Sequence, residues 1–190
     1  EIQTQYPKLY QWLLNRVKPD RDAHRDRDLR EKWWLHRRNN EDLRDSLVAL
    51  ERYIATVQTS KHRFFTYLDQ RILPDDKLIA IALSDGASLG TLSSRLHTTW
   101  ALATGGALGV GNDSVYNKSR CFEAFPFPDS NEKRFQKYGE IAERIDTHRK
   151  ARQTEHPDLT LTGMYNVLEK LRASLATHPT AFPEIVVTSA

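Results

Sequence analysis

The sequence predicts an α+β (mixed α/β) chain: a small sheet with packed helices, followed by a helical C-terminal segment. Three observations carry that expectation. Between Arg52 and Leu83, β-branched and aromatic residues gather in short runs separated by turns. On either side of that region, apolar residues recur at helical spacing. The central order is strand, strand, strand, helix, and no segment repeats, which favours α+β or α/β over a repeat architecture.

Residues 5–17 read as a helix, with Pro7 in its first turn, where a missing N–H costs nothing. Its apolar face is Leu9, Trp12, Leu13 and Val17, and Pro19 ends it. Residues 18–38 carry eight Lys/Arg against five Asp/Glu. They suit a solvated helix laced with i,i+4 pairs, or a strip facing phosphates. Trp33 and Trp34 are adjacent and cannot share a helix face, so one is expected to point inward. Asn39-Asn40 break the pattern, and residues 41–50 form a short helix with Leu43, Leu47 and Leu50 inward.

The period then shortens. Residues 52–59 and 63–68 are predicted strands, joined by the turn Ser60-Lys61-His62. After the turn at Pro74-Asp75-Asp76, residues 77–83 form a buried strand. Residues 87–103 form a helix with Leu89, Leu92, Leu96, Trp100 and Ala103 on its inner face. A glycine cluster at 105, 106, 109 and 111 follows, then the polar loop 112–120 and a Phe-Pro run, 122–128. Beyond it the chain is helical. Residues 130–152 show the stripe Phe135, Tyr138, Ile141, Ala142 and Ile145, and 159–175 turn Met164, Val167, Leu168 and Leu171 inward.

Composition narrows the function classes. With 190 residues, 39% of them hydrophobic, there is room for one good-sized domain or for a small domain with an appendage. No apolar run nears the roughly 18 residues a membrane helix needs, and no secretory leader is visible, so no membrane partner is expected. Cys121 is the single cysteine; with no disulfide possible inside the chain, a reducing cytoplasm is the expected location. A net charge of +3 permits a nucleic-acid partner without demanding one. The start at Glu1, helical in character and without Met, suggests a piece of a longer protein.

The motifs argue mostly by exclusion. Gly106-x-x-Gly109-x-Gly111 has the wrong order for a dinucleotide fingerprint, and no Gly-Lys-Ser/Thr follows it. Those glycines are expected instead to supply positive φ and close backbone approach. The seven histidines show no i,i+4 pair, and neither Pro19-Asp20 nor Pro74-Asp75 has a carboxylate-x-Lys partner at nuclease spacing. No metal site, cofactor site or catalytic constellation is expected on this chain. Two polar segments remain, with residue types that can hydrogen-bond base edges and phosphates. The first is Ser60, Lys61, His62 and Arg63; the second is Asn112, Asp113, Tyr116, Asn117, Lys118 and Arg120.

The ordered set SKHRFF, LPD, LSSRLHTTWAL, GVGND, YNKSRCF and FPFP resembles the target-recognition region of MmeI-like enzymes, large DNA adenine-N6 methyltransferases of restriction-modification systems. The segments YPKLYQWLLNRVKPDRD and HRKARQTEHPDLTLTGMYNVLEKLR are similar to the family's flanks, so the likeness extends to about Arg172. The Phe-Pro close before a helix is also similar to type I specificity subunits. The resemblance implies a DNA target-recognition domain over 1–128, a helical spacer over 129–176 and an atypical tail over 177–190. It implies double-stranded DNA as partner, with the parent's own methyltransferase domain beside it. Methyl transfer from S-adenosylmethionine belongs in that family to a separate upstream domain bearing an Asn-Pro-Pro-aromatic motif, which this chain lacks. The parent is thus expected to be an adenine-specific DNA methyltransferase, while this chain is expected to have no activity of its own. An alternative from another class is an interaction module that docks a methyltransferase or partner subunit through its C-terminal helices.

Overall fold

A computed structural model describes residues 2–35, 40–110, 113–129 and 133–177. The chain divides into two compact units, Glu1–Asp45 and Ser46–Ala190.

The first unit is helical. Helices α1 (Ile2–Gln5) and α2 (Pro7–Arg16) are followed by α3 (Lys18–Asp22) and α4 (Arg27–Glu31). Pro7 opens α2 as expected, whereas Pro19 does not stop a helix but sits in the first turn of the next one. The inward stripe of α2 is Tyr10, Leu13, Leu14 and Val17, while Leu9 and Trp12 are more than half exposed. The reason is Trp33, which is buried and meets the Tyr10 ring at 6.2 Å, turning that side of α2 inward. Trp34 points outward, edge-on to Trp33 at 86°. The charged run is two short helices instead of one long one. Asp26 caps α4 by accepting from the Asp28 N–H at 3.1 Å, and Arg30 donates to the His24 and Arg25 carbonyls in the break. The i,i+4 pairs expected of a solvated surface are present at Lys18–Asp22 (2.5 Å) and Arg27–Glu31 (2.7 Å). His36 to Asn39 lie outside the described residues.

Helix α5 (Glu41–Val48), with Leu47 buried, leads to the strands β1 (Arg52–Val57), β2 (Thr59–Ser60), β3 (Thr66–Asp69) and β4 (Leu78–Ile81). Strands β3, β1 and β4 form an antiparallel sheet in that order, with Ile54 opposite Tyr67 and Ile81. Residues 53–56 are buried in succession, so both faces of β1 are covered. The expected strands shrink at their ends: β3 starts at Thr66, because Arg63, Phe64 and Phe65 are used as anchors and not as ladder residues.

The helix expected over 87–103 is two helices, α6 (Gly86–Ser93) and α7 (Arg95–Thr104). Ser94 separates them in extended conformation and caps α7, its Oγ accepting from the His97 N–H at 3.1 Å. The break rotates α7, so Leu96 is 73% exposed and Ala103 also faces out, while His97 and Ala101 go inward. The glycine cluster continues into β5 (Gly106–Leu108), which pairs with β6 (Asp113–Val115), and β6 pairs with β2. Gly109 has φ 67°, and a Cβ on Gly105 would lie 2.4 Å from the Val115 carbonyl oxygen, so both roles expected of the glycines occur. A π-helical turn (Lys118–Glu123) then leads into the Phe-Pro run. Phe125 packs edge-on against His97 at 4.5 Å and Phe127 lies 5.1 Å from Phe122, which ties the run to α7 and the turn.

Helix α8 (Lys133–Glu155) packs on α6 and on the first sheet. Gly86 lies against Gly139, and Gly90 against the Tyr138 carbonyl. That approach admits only small residues, so Gly139, Ala142 and Asp146 face inward while Tyr138, Ile141 and Ile145 turn out. Of the apolar stripe marked in the sequence only Ala142 is buried, while Tyr138, Ile141 and Ile145 are exposed. Asp146 is buried because it accepts from Thr66 Oγ at 2.7 Å and Tyr67 N at 3.3 Å and pairs with Lys150 at 2.6 Å. Arg52 makes a forked bond to Glu143, at 2.5 and 3.0 Å, with its guanidinium over the Tyr67 ring. Helix α9 (Leu161–Thr177) follows, with Met164 and Leu171 half-buried and Val167 and Leu168 exposed.

Candidate nucleic-acid interface

The two polar segments singled out in the sequence meet in space. Ser60 stands opposite Ser114 and Thr59 opposite Val115, so the first segment is an edge strand of the sheet that carries the second. The junction is closed by hydrogen bonds: Ser114 Oγ donates to the Ser60 carbonyl at 3.0 Å, and the Tyr116 N–H to the Gln58 carbonyl at 2.7 Å.

Arg63 is the clamp between them. Its guanidinium is buried, donates to the Ser114 carbonyl at 2.8 Å and to Ser114 Oγ and Thr56 Oγ at 3.1 Å, and also bonds the Val57 and Gln58 carbonyls. One planar fork thus satisfies carbonyls from β1, from the turn after it and from β6. Burial holds its pKa below the usual guanidinium range without removing its charge. The neighbouring Tyr116 is also buried, its ring 5.2 Å from the guanidinium and its hydroxyl 2.9 Å from His97 Nε2. Burial pushes the Tyr116 phenol up. His97 is pushed down to about 4 by burial and, second, by the Arg63 charge, so it stays neutral at neutral pH. The polar centre of this region is therefore internal: Arg63, Tyr116 and His97 support the sheet from behind.

The other candidates lie further out. Lys61 is exposed and bonds Asn166 Oδ1 at 3.3 Å and Glu169 Oε2 at 2.8 Å, while His62 Nε2 lies 2.9 Å from Asn166 Oδ1. The turn after β2 is thereby tied to α9, and the Lys61 contact holds the Glu169 carboxyl below its ordinary range. Ser60 Oγ donates to the His62 carbonyl at 2.8 Å, shaping that turn. Asn117 caps the π-helical turn, its Oδ1 accepting from Ser119 N, Ser119 Oγ and Arg120 N at 2.8 to 3.2 Å. That cap presents Lys118 and Arg120 outward. Lys118 pairs with Glu123 at 3.2 Å, and the Arg120 side chain makes no bond to any described residue. Asp113 is half-buried at the start of β6, and Asn112 lies outside the described residues.

Sequence reasoning did not single out Leu108 and Val110 in the Gly-rich turn, which are 55% and 96% exposed. Their signal was present in the glycines around them, which free the backbone but do not reveal which way an apolar side chain points. Cys121 is buried behind the hairpin and donates to the Ala101 carbonyl at 3.6 Å, a packing position. Among the described residues no group of His, Cys, Asp or Glu could hold a metal ion, and no helix is long and apolar enough to cross a membrane.

The family model described as MmeI, target recognition domain, matches residues 5–129. Among solved structures, the type IIL restriction-modification enzyme MmeI in complex with DNA is similar at a TM-score of 0.59 and 21% identity. The match covers 83% of this chain and 20% of that one, so the chain spans about a fifth of the MmeI chain's length. At that identity the likeness concerns the fold. A comparison with curated proteins gives no match.

Proposed function

The chain belongs to the MmeI target recognition domain family, and from that premise we propose that it reads a specific double-stranded DNA sequence for a restriction-modification enzyme. The observation that carries the proposal is the β2–β6 junction: two polar segments distant in sequence form one edge, clamped from behind by Arg63. Such a frame presents side chains rigidly, which base readout requires. The β5–β6 hairpin and the half-buried Asp113 face base edges in this reading, with Leu108 and Val110 available for apolar contact such as a thymine methyl. Lys118, Arg120 and Lys61 contact phosphates and set the register.

We further propose that the parent enzyme is an adenine-N6 methyltransferase, and that binding of S-adenosylmethionine and extrusion of the target base belong to its other domains. The length of the MmeI chain relative to this one supports that division, as does the lack of an Asn-Pro-Pro-aromatic sequence here.

Selection from a pool of random duplexes by the 190-residue chain tests the central proposal. One enriched sequence is expected, with log affinity falling against log salt by about 0.9 per phosphate contacted. Duplex retention without any enriched sequence, or no retention at the lowest salt, defeats it.

A further inference from the structure

A groove of about 1640 Å³ runs along the second unit, lined by residues of α7, α8 and α9 and by the turn after β2. Its floor is apolar: Leu102, Ile141, Ile145 and Leu168 line it, and all four are exposed. Its titratable lining is one-sided, with six Lys/Arg against a single carboxylate, Glu143. Glu143 is already held by Arg52 and by the Tyr67 hydroxyl. Three of the cations are likewise committed: Arg63 to its carbonyls, Lys61 to Glu169, and Arg149 to the Phe65 carbonyl and the Tyr165 hydroxyl. Arg95, Arg144 and Arg172 are exposed and make no side-chain bond to any described residue.

An apolar floor rimmed by unpaired arginines selects for an occupant with both properties inverted and adjacent. We propose that this groove docks an acidic amphipathic α-helix of a partner protein. Apolar side chains at i, i+3, i+4 and i+7 would cover the floor, and carboxylates flanking that stripe would pair with Arg95, Arg144 and Arg172. Side chains at i, i+3, i+4 and i+7 span about two turns of a helix about 10 Å across. Duplex DNA satisfies the arginines equally well but leaves the isoleucines and leucines facing a phosphate backbone, so charge and apolarity together favour the helix. The groove shares Lys61 with the DNA reading above, but none of the hairpin or π-turn residues lines it.

The test uses the full chain and a fluorescent helical peptide with leucines at that spacing and glutamates elsewhere, read by anisotropy. A version with lysine for every glutamate and a DNA duplex serve as comparators. Saturable binding of the Glu peptide is expected, at least about tenfold tighter than the Lys version. The double variant Arg144→Glu/Arg172→Glu should weaken it by about tenfold or more, and Ile145→Asp likewise, with circular dichroism unchanged. Equal affinity for the two peptides, or no loss in either variant, overturns the proposal. So does displacement by duplex DNA that depends on the arginines but ignores Ile145→Asp, which gives the groove to nucleic acid. Self-association of the chain that Ile145→Asp abolishes gives it to a second copy and also overturns the proposal.

Discussion

The two small sheets of the second unit are built on opposite principles. In the first, Tyr53, Ile54, Ala55 and Thr56 are consecutive and all buried, and Ile54 packs with Phe65, Tyr67 and Ile81. Apolar packing on both faces fixes each side chain there. In the second, every residue of β5 is exposed and every residue of β6 half-buried, and the sheet is held by a guanidinium and by backbone bonds. A sheet secured through its carbonyls places little demand on its outward side chains. Those positions can be exchanged without repacking a core, which is the freedom a sequence-reading surface needs.

That contrast can be broken or sharpened by substitution. Phe65→Ala, in the packed region, should have the largest effect, costing about 3–5 kcal/mol and visible as a shifted urea midpoint. Arg63→Met keeps the bulk but strips donors from the Val57, Gln58 and Ser114 carbonyls, and should cost about 2–4 kcal/mol. If Arg63→Met costs no more than a surface change, the polar clamp is not what holds the second sheet. His97 supplies a pH signature. Its folded pKa of about 4 lies below the unfolded value of 6.5, so the unfolded chain binds the extra proton between them. Stability is then fully present above about pH 6.5 and falls by on the order of 2–3 kcal/mol as pH drops to 4. Urea midpoints across that range should show the slope, and His97→Gln should flatten it. Gly109→Ala, at φ 67°, should cost about 1 kcal/mol, a loss confined to the hairpin and readable as faster amide exchange in β5. Smallest in stability, within about 0.5 kcal/mol, is Lys118→Ala/Arg120→Ala. Its effect belongs to DNA binding, where the salt slope should fall by about 2. An unchanged slope would remove both residues from the phosphate contacts.

Much of this architecture was legible in the sequence, and the failures share a cause. The strands around Ile54 and Ile79, the inward Trp of the Trp33-Trp34 pair and the roles of the glycines followed from local rules. The helix break at Ser94 was written in its hydroxyl, yet the apolar periodicity on both sides argued for continuity. The orientation of α8 was not legible because small residues, Gly139 and Ala142, carry the contact, and a stripe of large apolar residues marks a face without saying what covers it. Among the candidate site residues, sequence named two segments but not their depth. Arg63 and Lys118 look alike in a polar run; only the fold puts one under the sheet and the other on its rim. The pairing of β2 with β6 joins residues more than fifty positions apart, and no local pattern encodes it.

The contact between Gly86 and Gly139 has a mechanical consequence. A Cβ on Gly86 would stand 2.8 Å from the Gly139 carbonyl oxygen, so the two backbones touch with nothing between them. Like a key in a slot, that seat permits one rotational phase and one axial position for α8, since a shift by a single residue would drive Tyr138 or Glu140 into α6. A helix of 23 residues is a rod about 35 Å long. Seated in this way near its N-terminal end, the rod leaves α6 in one direction only, so the position of its far end is set by two missing methyl groups.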